Sequence, residues 1–235
     1  MSNTVKVTID GPAGSGKTTI AQAVSANLGF RYIDTGAMYR AVALGCIKAE
    51  IDASDEDAID DFINNNAITV EYDAEGNQKI ALNGEDITDS IRSSDISKLA
   101  SDISSFKNVR LKLVEIQRDL ARNYNVVMDG RDTGSFVLPH ADIKIFLIAT
   151  TEDRARRRWN EMLDRGEFVK YEDVLKDIKY RDRNDCSRAF APLVIPENAV
   201  IADTTDNTLE DSIQIITEVI KERLPSDVPI TQTSS

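Results

Sequence analysis

Cysteine and histidine are scarce in this chain, which has two cysteines and one histidine among its 235 residues. Cys46 and Cys186 lie far apart in the sequence and form no CxxC or Cys/His pattern, so neither a disulfide framework nor a zinc site is expected. Such sparse cysteine is typical of a reducing compartment, and we predict a cytoplasmic protein. His140, which follows a proline, is typical of a surface or packing residue and receives no role.

Long apolar runs are also missing. No segment approaches the ~20 apolar residues that cross a bilayer, and the N-terminus lacks the basic region, apolar stretch and cleavage site of a signal peptide. With 41% hydrophobic and 29% charged residues, the composition is typical of a soluble globular protein. We therefore expect no membrane partner.

Positive charge is in deficit, because 28 lysines and arginines stand against 40 aspartates and glutamates, giving a net charge of −12. A nucleic-acid-binding protein would normally show the opposite balance, so no nucleic-acid partner is expected. Arginines nevertheless cluster in two short stretches: Arg154, Arg156, Arg157 and Arg158, then Arg181, Arg183 and Arg188. Locally concentrated positive charge indicates a small anionic ligand, although solvated helix faces would give the same pattern.

Short, continuously apolar segments predict five buried β-strands, which cover residues 5–9, 31–33, 125–128, 143–148 and 199–202. Helical patterns separate these segments. Apolar strands that alternate with amphipathic helices are typical of a parallel sheet covered on both faces. The sequence therefore predicts an α/β fold.

Apolar positions three or four residues apart place three of the helices. Their stripes are Ile20, Val24 and Leu28 with Gly29 as the stop; Val109, Leu113, Ile116 and Leu120 in a helix over 108–122; and Leu209, Ile213, Ile216 and Ile220 in the last helix. That last helix is predicted to begin near Asn207, with Glu210 completing a capping box.

Two segments do not follow the alternation of strand and helix. The acidic segment 55–91 predicts an antiparallel hairpin, because apolar residues alternate on both sides of a turn at Gly76-Asn77: Ile68, Val70 and Tyr72 before it, and Ile80 and Leu82 after it. Residues 151–188 predict two charged helices around a loop at Arg165-Gly166, with few apolar anchors. Such a weakly anchored segment is typical of a mobile lid.

The strongest motif is GPAGSGKT, which follows the first predicted strand and opens the first predicted helix. It matches the phosphate-binding pattern GxxxxGK[ST] at every fixed position. Glycines allow backbone N–H groups to surround phosphate oxygens, and the helix N-terminus adds a favourable field. From an exposed loop, Lys17 would reach the β- and γ-phosphates, and the Thr18 hydroxyl would bind Mg²⁺ carried as Mg-ATP.

A phosphate-binding loop does not by itself indicate which reaction the bound phosphate undergoes. No Asn-Lys-x-Asp guanine reader occurs, so a GTPase is not expected. A kinase for a small acceptor needs a second anion site, for which Arg40, Arg131 and the arginines of 151–188 are candidates. Asp129, at a predicted strand end, is either a carboxylate close to the metal or a turn residue.

Four motifs, in this order, resemble the bacterial cytidylate kinase family over almost the whole chain: GPAGSGKTT, DTGAMYR, MDGRDTGSFVLPHADIKIFL and RDRNDCSRAFAPL. The resemblance implies the P-loop nucleoside-monophosphate kinase fold, a five-stranded parallel sheet flanked by helices. It also implies transfer of the γ-phosphoryl of ATP to CMP or dCMP. Both nucleotides are therefore expected as ligands, and Mg²⁺ as the cofactor.

The resemblance assigns residues to each ligand. The ATP-binding set is Gly11, Pro12, Ala13, Gly14, Ser15, Gly16, Lys17, Thr18, Thr19, Arg154 and Arg157. The CMP-binding set is Thr35, Arg40, Ser101, Arg110, Arg131, Asp132, Arg181, Asp185 and Arg188. The catalytic set is Lys17, Arg131, Asp132, Arg157 and Arg158. Thr35 stands where the family more often has serine, which keeps the hydroxyl.

Within the CMP-binding set, the resemblance assigns Arg40 and Arg131 to the phosphate. Ser101, Arg110 and Asp132 are assigned to the base with Arg188 close by, and Arg181 and Asp185 to the sugar. Which of Arg154, Arg157 and Arg158 contacts ATP stays open. Without the resemblance, Ser101 and Arg110 would pass for surface residues, and Arg181 with Asp185 for an intrahelical ion pair.

The resemblance also implies one kinase domain over 1–225. Its parts are a core (1–49, 96–150 and 189–225), an insertion that binds the monophosphate (50–95) and a lid (151–188). The composition of 226–235 leaves little apolar surface to bury, so a disordered tail is expected there. A monomer is expected. Two alternatives are a kinase for UMP, AMP or shikimate on the same scaffold, and a nucleotide-dependent switch that signals through a partner.

Overall fold

The computed structural model describes residues 4–226 and residue 228. The predicted disordered tail, 226–235, therefore lies outside the described residues except at positions 226 and 228. Within this described part, none of the helices combines the length and apolar character needed to cross a membrane.

A parallel sheet of five strands forms the centre of the structure. In chain order the eight strands of the described residues are β1 Lys6–Asp10, β2 Arg31–Asp34, β3 Ile68–Tyr72, β4 Gln78–Leu82, β5 Glu85–Asp86, β6 Val126–Gly130, β7 Ile143–Ile148 and β8 Val200–Asp203. The central sheet has the order β2-β6-β1-β7-β8. All five predicted strands are confirmed.

Four of these strands extend further at the carboxyl end than the sequence predicts. They end at Asp10, Asp34, Gly130 and Asp203. The apolar pattern stops before these positions, whereas the ladder continues, for example between Asp10 and Gly130. Polar residues are thereby brought together at the end of the sheet where the parallel strands terminate.

Eight α-helices lie in the described part of the chain: α1 Lys17–Leu28, α2 Thr35–Lys48, α3 Glu56–Asn65, α4 Ser94–Ile103, α5 Lys107–Ala121, α6 Thr151–Asp164, α7 Tyr171–Ser187 and α8 Leu209–Lys221. Two shorter pieces are a 3₁₀ helix, Ser90–Arg92, and a π-helical turn, Thr133–Val137. One apolar core lies between the sheet and helices α1 and α8. A second apolar core lies on the other face of the sheet and includes residues of α2, α3, α4 and α5.

The predicted stripe of α1 is buried, and Gly29 ends that helix in the left-handed conformation with φ 68°. The stripe of α5 also faces the core. The prediction for α8 is wrong at its start, because Thr208 is the N-cap, with its hydroxyl oxygen 3.1 Å from the Asp211 amide nitrogen. Leu209, the first residue of the predicted buried stripe, is 43% exposed.

The predicted hairpin forms between β3 and β4, with Ile68 opposite Leu82 and Val70 opposite Ile80. The two-residue strand β5, which the sequence did not predict, extends it to three strands. The Gln78 side chain joins this sheet to β2, since its Oε1 accepts from the Asp34 amide at 2.9 Å and its Nε2 donates to the Asp34 carbonyl at 3.2 Å.

The segment 151–188 consists of two helices around the predicted Arg165-Gly166 loop. Its apolar anchor is small, as predicted: Ala155 and Ile178 pack against Ala13, with the partly buried Tyr171 and Leu175 beside them. The helices α6 and α7 therefore cover the loop that follows β1.

Candidate active site

The GPAGSGKT segment forms a tight loop between β1 and α1. Gly14 and Gly16 have φ 72° and 80°, a left-handed conformation that favours glycine. A Cβ atom at Gly14 would lie 2.9 Å from the Arg154 carbonyl oxygen. The Ser15 hydroxyl is buried and has no hydrogen-bond partner among the described residues. Phosphate oxygens are suitable partners for such a loop.

Lys17 begins α1 at the base of this loop. The sequence predicts an exposed position, which is wrong, because Lys17 is only 6% exposed. Its Nζ donates to the Pro12 carbonyl at 3.1 Å. Burial, followed by the charge of Arg131, lowers the pKa of Lys17 to about 7. A bound polyphosphate would supply the negative charge that this buried amine lacks.

Asp129 connects three parts of the site. Its Oδ2 accepts from the Thr18 hydroxyl and its Oδ1 from the Tyr32 hydroxyl, both at 2.8 Å. Its backbone carbonyl accepts from Thr35 Oγ1 at 2.7 Å. Burial, with the charge of Asp34, raises the pKa of Asp129 to about 6. The position of Asp129 beside Thr18 favours its interpretation as a carboxylate close to the metal over its interpretation as a turn residue.

The donor set at this position fits Mg²⁺ carried by ATP. Hydroxyl and carboxylate oxygens are the hard ligands that Mg²⁺ prefers, and it usually binds through one or two of them together with substrate phosphates. Thr18 and Asp129 supply these two oxygen types at the rim of the phosphate loop. No group of three or more His, Cys, Asp or Glu in the described ranges could hold a metal ion by itself.

A cleft of about 470 Å³ opens beside the phosphate loop. All nine residues of the predicted CMP-binding set line it: Thr35, Arg40, Ser101, Arg110, Arg131, Asp132, Arg181, Asp185 and Arg188. Lys17, Thr18 and Thr19 line the same cleft. The fold therefore brings together residues that are up to 171 positions apart in the sequence.

Six of the eight arginines that line this cleft contact a carboxylate. The pairs on the acceptor side are Arg40 with Asp34 at 2.8 Å, Arg110 with Asp132, Arg131 with Asp185 at 2.6 Å, and Arg188 with Asp185 at 3.7 Å. On the lid side they are Arg158 with Glu161 at 3.1 Å and Arg181 with Asp177 at 2.9 Å. An entering phosphate would therefore exchange places with a carboxylate.

Arg110 and Arg188 lie at the deep end of the cleft. Arg110 is 1% exposed and donates to the Ser104 carbonyl at 3.0 Å, and Arg188 donates to the Ser104 hydroxyl at 3.2 Å. The Ser101 hydroxyl and Arg188 Nη2 are buried without hydrogen-bond partners in the described part of the chain. They are available to the polar edge of a ligand.

Asp185 is an ionised carboxylate between two arginines. Burial opposes its ionisation, but the charges of Arg131 and Arg188 outweigh burial and hold the pKa of Asp185 below its usual value. The ionised Asp185 carboxylate can therefore hold the Arg131 guanidinium group at the mouth of the cleft.

The three predicted ATP-contacting arginines of α6 lie in different places. Arg154 is 4% exposed, pairs with Asp182 at 2.7 Å and donates to the Ala13 carbonyl at 2.8 Å, outside the cleft lining. Arg157 pairs with Asp153 at 2.7 Å and donates to Thr204, close to Gly16. Arg158 lines the cleft.

Several lining residues were missed by the sequence analysis: Asp34, Tyr39, Arg92 and Arg165. Asp34 and Tyr39 belong to the DTGAMYR motif, so their position beside Arg40 was a usable signal. Arg165 was placed at the lid loop without a role. Gly11, Pro12 and Ser15 belong to the phosphate loop but do not line the cleft.

Comparisons with known proteins agree with this site. The cytidylate kinase family model matches residues 7–222. The chain is 44% identical over 224 residues to the cytidylate kinase of Caldicellulosiruptor saccharolyticus, covering 95% of this chain and 99% of that protein. It is 45% identical over 216 residues to the cytidylate kinase of Pelotomaculum thermopropionicum, covering 92% and 96%.

A solved structure of an uncharacterized protein from Eubacterium ventriosum shares the fold, with a TM-score of 0.52 and 11% identity over 94% of this chain and 100% of that chain. Such a likeness concerns the fold alone. The family model covers most of the chain and the two relatives cover nearly all of it. This chain therefore belongs to the cytidylate kinase family.

Proposed function

We propose that this protein transfers the γ-phosphoryl group of ATP to CMP or dCMP, giving ADP and CDP or dCDP. The observation that carries the proposal is the single cleft in which the phosphate loop and the nine residues of the CMP-binding set meet. The relatives named cytidylate kinase support the choice of acceptor.

The phosphate loop and Lys17 would hold the donor phosphates. Lys17 offers a point charge to the β- and γ-oxygens, and it neutralises the charge that spreads over the transferring group. Mg²⁺ would be held through Thr18 with Asp129 beside it, and it supplies charge neutralisation at the β- and γ-phosphates. ATP contacts on the lid side are proposed for Arg158, with Arg157 next to the loop.

Arg40 and Arg131 would bind the acceptor phosphate, whose two oxygens match the fork of a guanidinium group. Ser101, Arg110, Asp132 and Arg188 would read the pyrimidine, and Arg181 and Asp185 would contact the sugar. The attacking oxygen belongs to a phosphate that is already ionised at neutral pH, so no strong general base is required.

The division of the chain follows from these roles. Residues 50–95 are proposed as the monophosphate-binding insertion, and 151–188 as a lid that closes over both substrates and excludes water. We also propose a cytoplasmic monomer. The two cysteines form no disulfide in the described structure, which suits a reducing compartment.

A panel of acceptors tests the proposed function. Purified protein with Mg-ATP is given CMP, dCMP, UMP, AMP or shikimate, and ADP release is measured against a sample without acceptor. We expect CMP and dCMP to stimulate ADP release far more than the others. Equal release without acceptor would favour the nucleotide-dependent switch, and stimulation by UMP or AMP alone would reassign the acceptor.

A further inference from the structure

Asp10 is a fully buried carboxylate at the carboxyl end of β1, one residue before the phosphate loop. It accepts three hydrogen bonds. Oδ1 accepts from the Thr133 amide at 2.9 Å and from the Thr133 hydroxyl at 2.8 Å, and Oδ2 accepts from the Gly134 amide at 2.7 Å. All three donors follow directly after Asp132 in the chain.

The glycines of the GRDTG segment allow this contact. A Cβ atom at Gly130 would lie 2.6 Å from the Thr133 methyl carbon. At Gly134 it would lie 2.7 Å from the Thr8 hydroxyl and 3.3 Å from Asp10 Oδ2. Real Cβ atoms do not tolerate such distances, so the segment turns tightly over β1 only because both positions are glycine. Arg131 and Asp132 then line the cleft.

A carboxylate is the side chain that fits this set of donors. It carries only acceptors and has room for about four hydrogen bonds. An asparagine of the same shape would turn an N–H₂ group towards one of the three donors. Removal of a hydrogen-bond partner from a buried polar group destabilises the folded protein, because the group left behind can bond neither to that partner nor to water.

We propose that Asp10 is a positioning residue for the acceptor base. Its three hydrogen bonds fix Thr133 and Gly134, and through them they fix the direction in which Asp132 and Arg131 enter the cleft. The strand that carries the phosphate-donor loop thereby also sets the geometry of the segment that reads the acceptor. This inference rests on the proposed function.

Two substitutions test the proposal by the CMP:UMP ratio of kcat/KM. Thr133→Val keeps the shape of Thr133 and removes one of the three donors to Asp10, so we expect this ratio to narrow about threefold to tenfold, mainly through the KM for CMP. Asp10→Asn should narrow the ratio further in the same direction. Thr133→Ser keeps the hydroxyl and should restore the wild-type ratio.

Thr217→Val is the matched control. Thr217 is buried in α8 and does not line the cleft, and its hydroxyl has no hydrogen-bond partner within the described residues. The same change there should leave the CMP:UMP ratio unaltered. A lower melting temperature with an unaltered ratio in Thr133→Val would overturn the inference and leave Thr133 a purely structural residue. If Asp10→Asn does not fold, Thr133→Val decides the question alone.

Failure of this inference and failure of the proposed function give different results. A wild-type protein that shows no preference for CMP over UMP overturns the proposed function, and this inference with it. A wild-type preference for CMP that Thr133→Val retains in full overturns the role of Asp10 alone and leaves the proposed function standing.

Discussion

Arg131 Nε donates a hydrogen bond of 2.6 Å to Asp185 Oδ2, which joins the end of β6 to α7 across the cleft. The Asp185 side chain is 7% exposed and that of Arg131 is 26% exposed. The two residues were assigned to different parts of the nucleotide. Their contact means that one ion pair holds both the side of the cleft proposed for the sugar and the side proposed for the phosphate.

Asp185→Asn should therefore lower both stability and acceptor binding. Loss of the buried charge leaves Arg131 and Arg188 without their common partner, and we expect a loss of about 3 kcal/mol in the free energy of unfolding. The KM for CMP should rise roughly tenfold or more. Urea unfolding and steady-state kinetics measure the two effects.

Asp119→Asn is the control for this prediction. Asp119 also lies 2.6 Å from an arginine, but both side chains are more than 60% exposed. It should change stability by less than about 1 kcal/mol.

Lys17→Met should abolish most of the turnover without loss of the fold. The change removes a positive charge from the transferring phosphate, and loss of one such group typically costs about 10²–10³ in kcat. It also removes an amine whose burial is unfavourable, so the melting temperature should not fall. Lys48→Met, at an exposed pair with Glu85, is the control and should retain full turnover. A folded Lys17→Met protein with normal kcat would exclude Lys17 from the transfer step.

ATP binding should take up a proton at pH 8. In the ligand-free protein the pKa of Lys17 is about 7, so at pH 8 the amine is mostly neutral. A polyphosphate favours the charged form and raises this pKa, and a group whose pKa rises on binding takes up protons between the two values. Calorimetry in two buffers of different ionisation enthalpy should give an uptake approaching about one proton. Lys17→Met should show almost none; equal uptake in both proteins would assign the proton to another group.

Tyr32→Phe should weaken the binding of Mg-ATP. The change removes one of the two hydroxyl groups that orient the Asp129 carboxylate and leaves a buried oxygen without its partner. We expect a loss of about 1–3 kcal/mol in stability and a higher Mg²⁺ concentration for half-maximal activity. Tyr72→Phe is the control, because the Tyr72 hydroxyl donates to the Tyr32 carbonyl and not to Asp129. A similar shift in Mg²⁺ dependence in both variants would remove Tyr32 from this role.

The strands were predictable because each is a short apolar run in a buried parallel sheet. Their carboxyl ends were not, because Asp10, Asp34 and Asp203 continue the hydrogen bonding with polar side chains. The hairpin was predictable from its alternation. The two-residue strand β5 was not, because Glu85 and Asp86 are exposed and carry no apolar signal.

The candidate site divides in the same way. A short motif predicted the phosphate loop, and the family resemblance supplied the proposed CMP-binding set that lines one cleft, including Ser101 and Arg110, which lie in none of the motifs. The arginines of α6 could not be separated by sequence, because only packing shows that Arg154 is held by Asp182 while Arg158, one turn later, lines the cleft. Asp10 and Tyr32 act through partners about 100 or more positions away, so no local pattern announces them.

The contact between Gln78 and Asp34 has a consequence for how this molecule behaves among its copies. β2 is an edge strand of the central sheet, and its outer amide and carbonyl groups could pair with a strand of another molecule. Gln78 occupies the amide and carbonyl of Asp34, and the Tyr72 hydroxyl occupies the carbonyl of Tyr32. The hairpin therefore blocks edge-to-edge pairing of β2 with another molecule. A shortened hairpin would leave the outer amide and carbonyl groups of β2 unpaired and prone to aggregation.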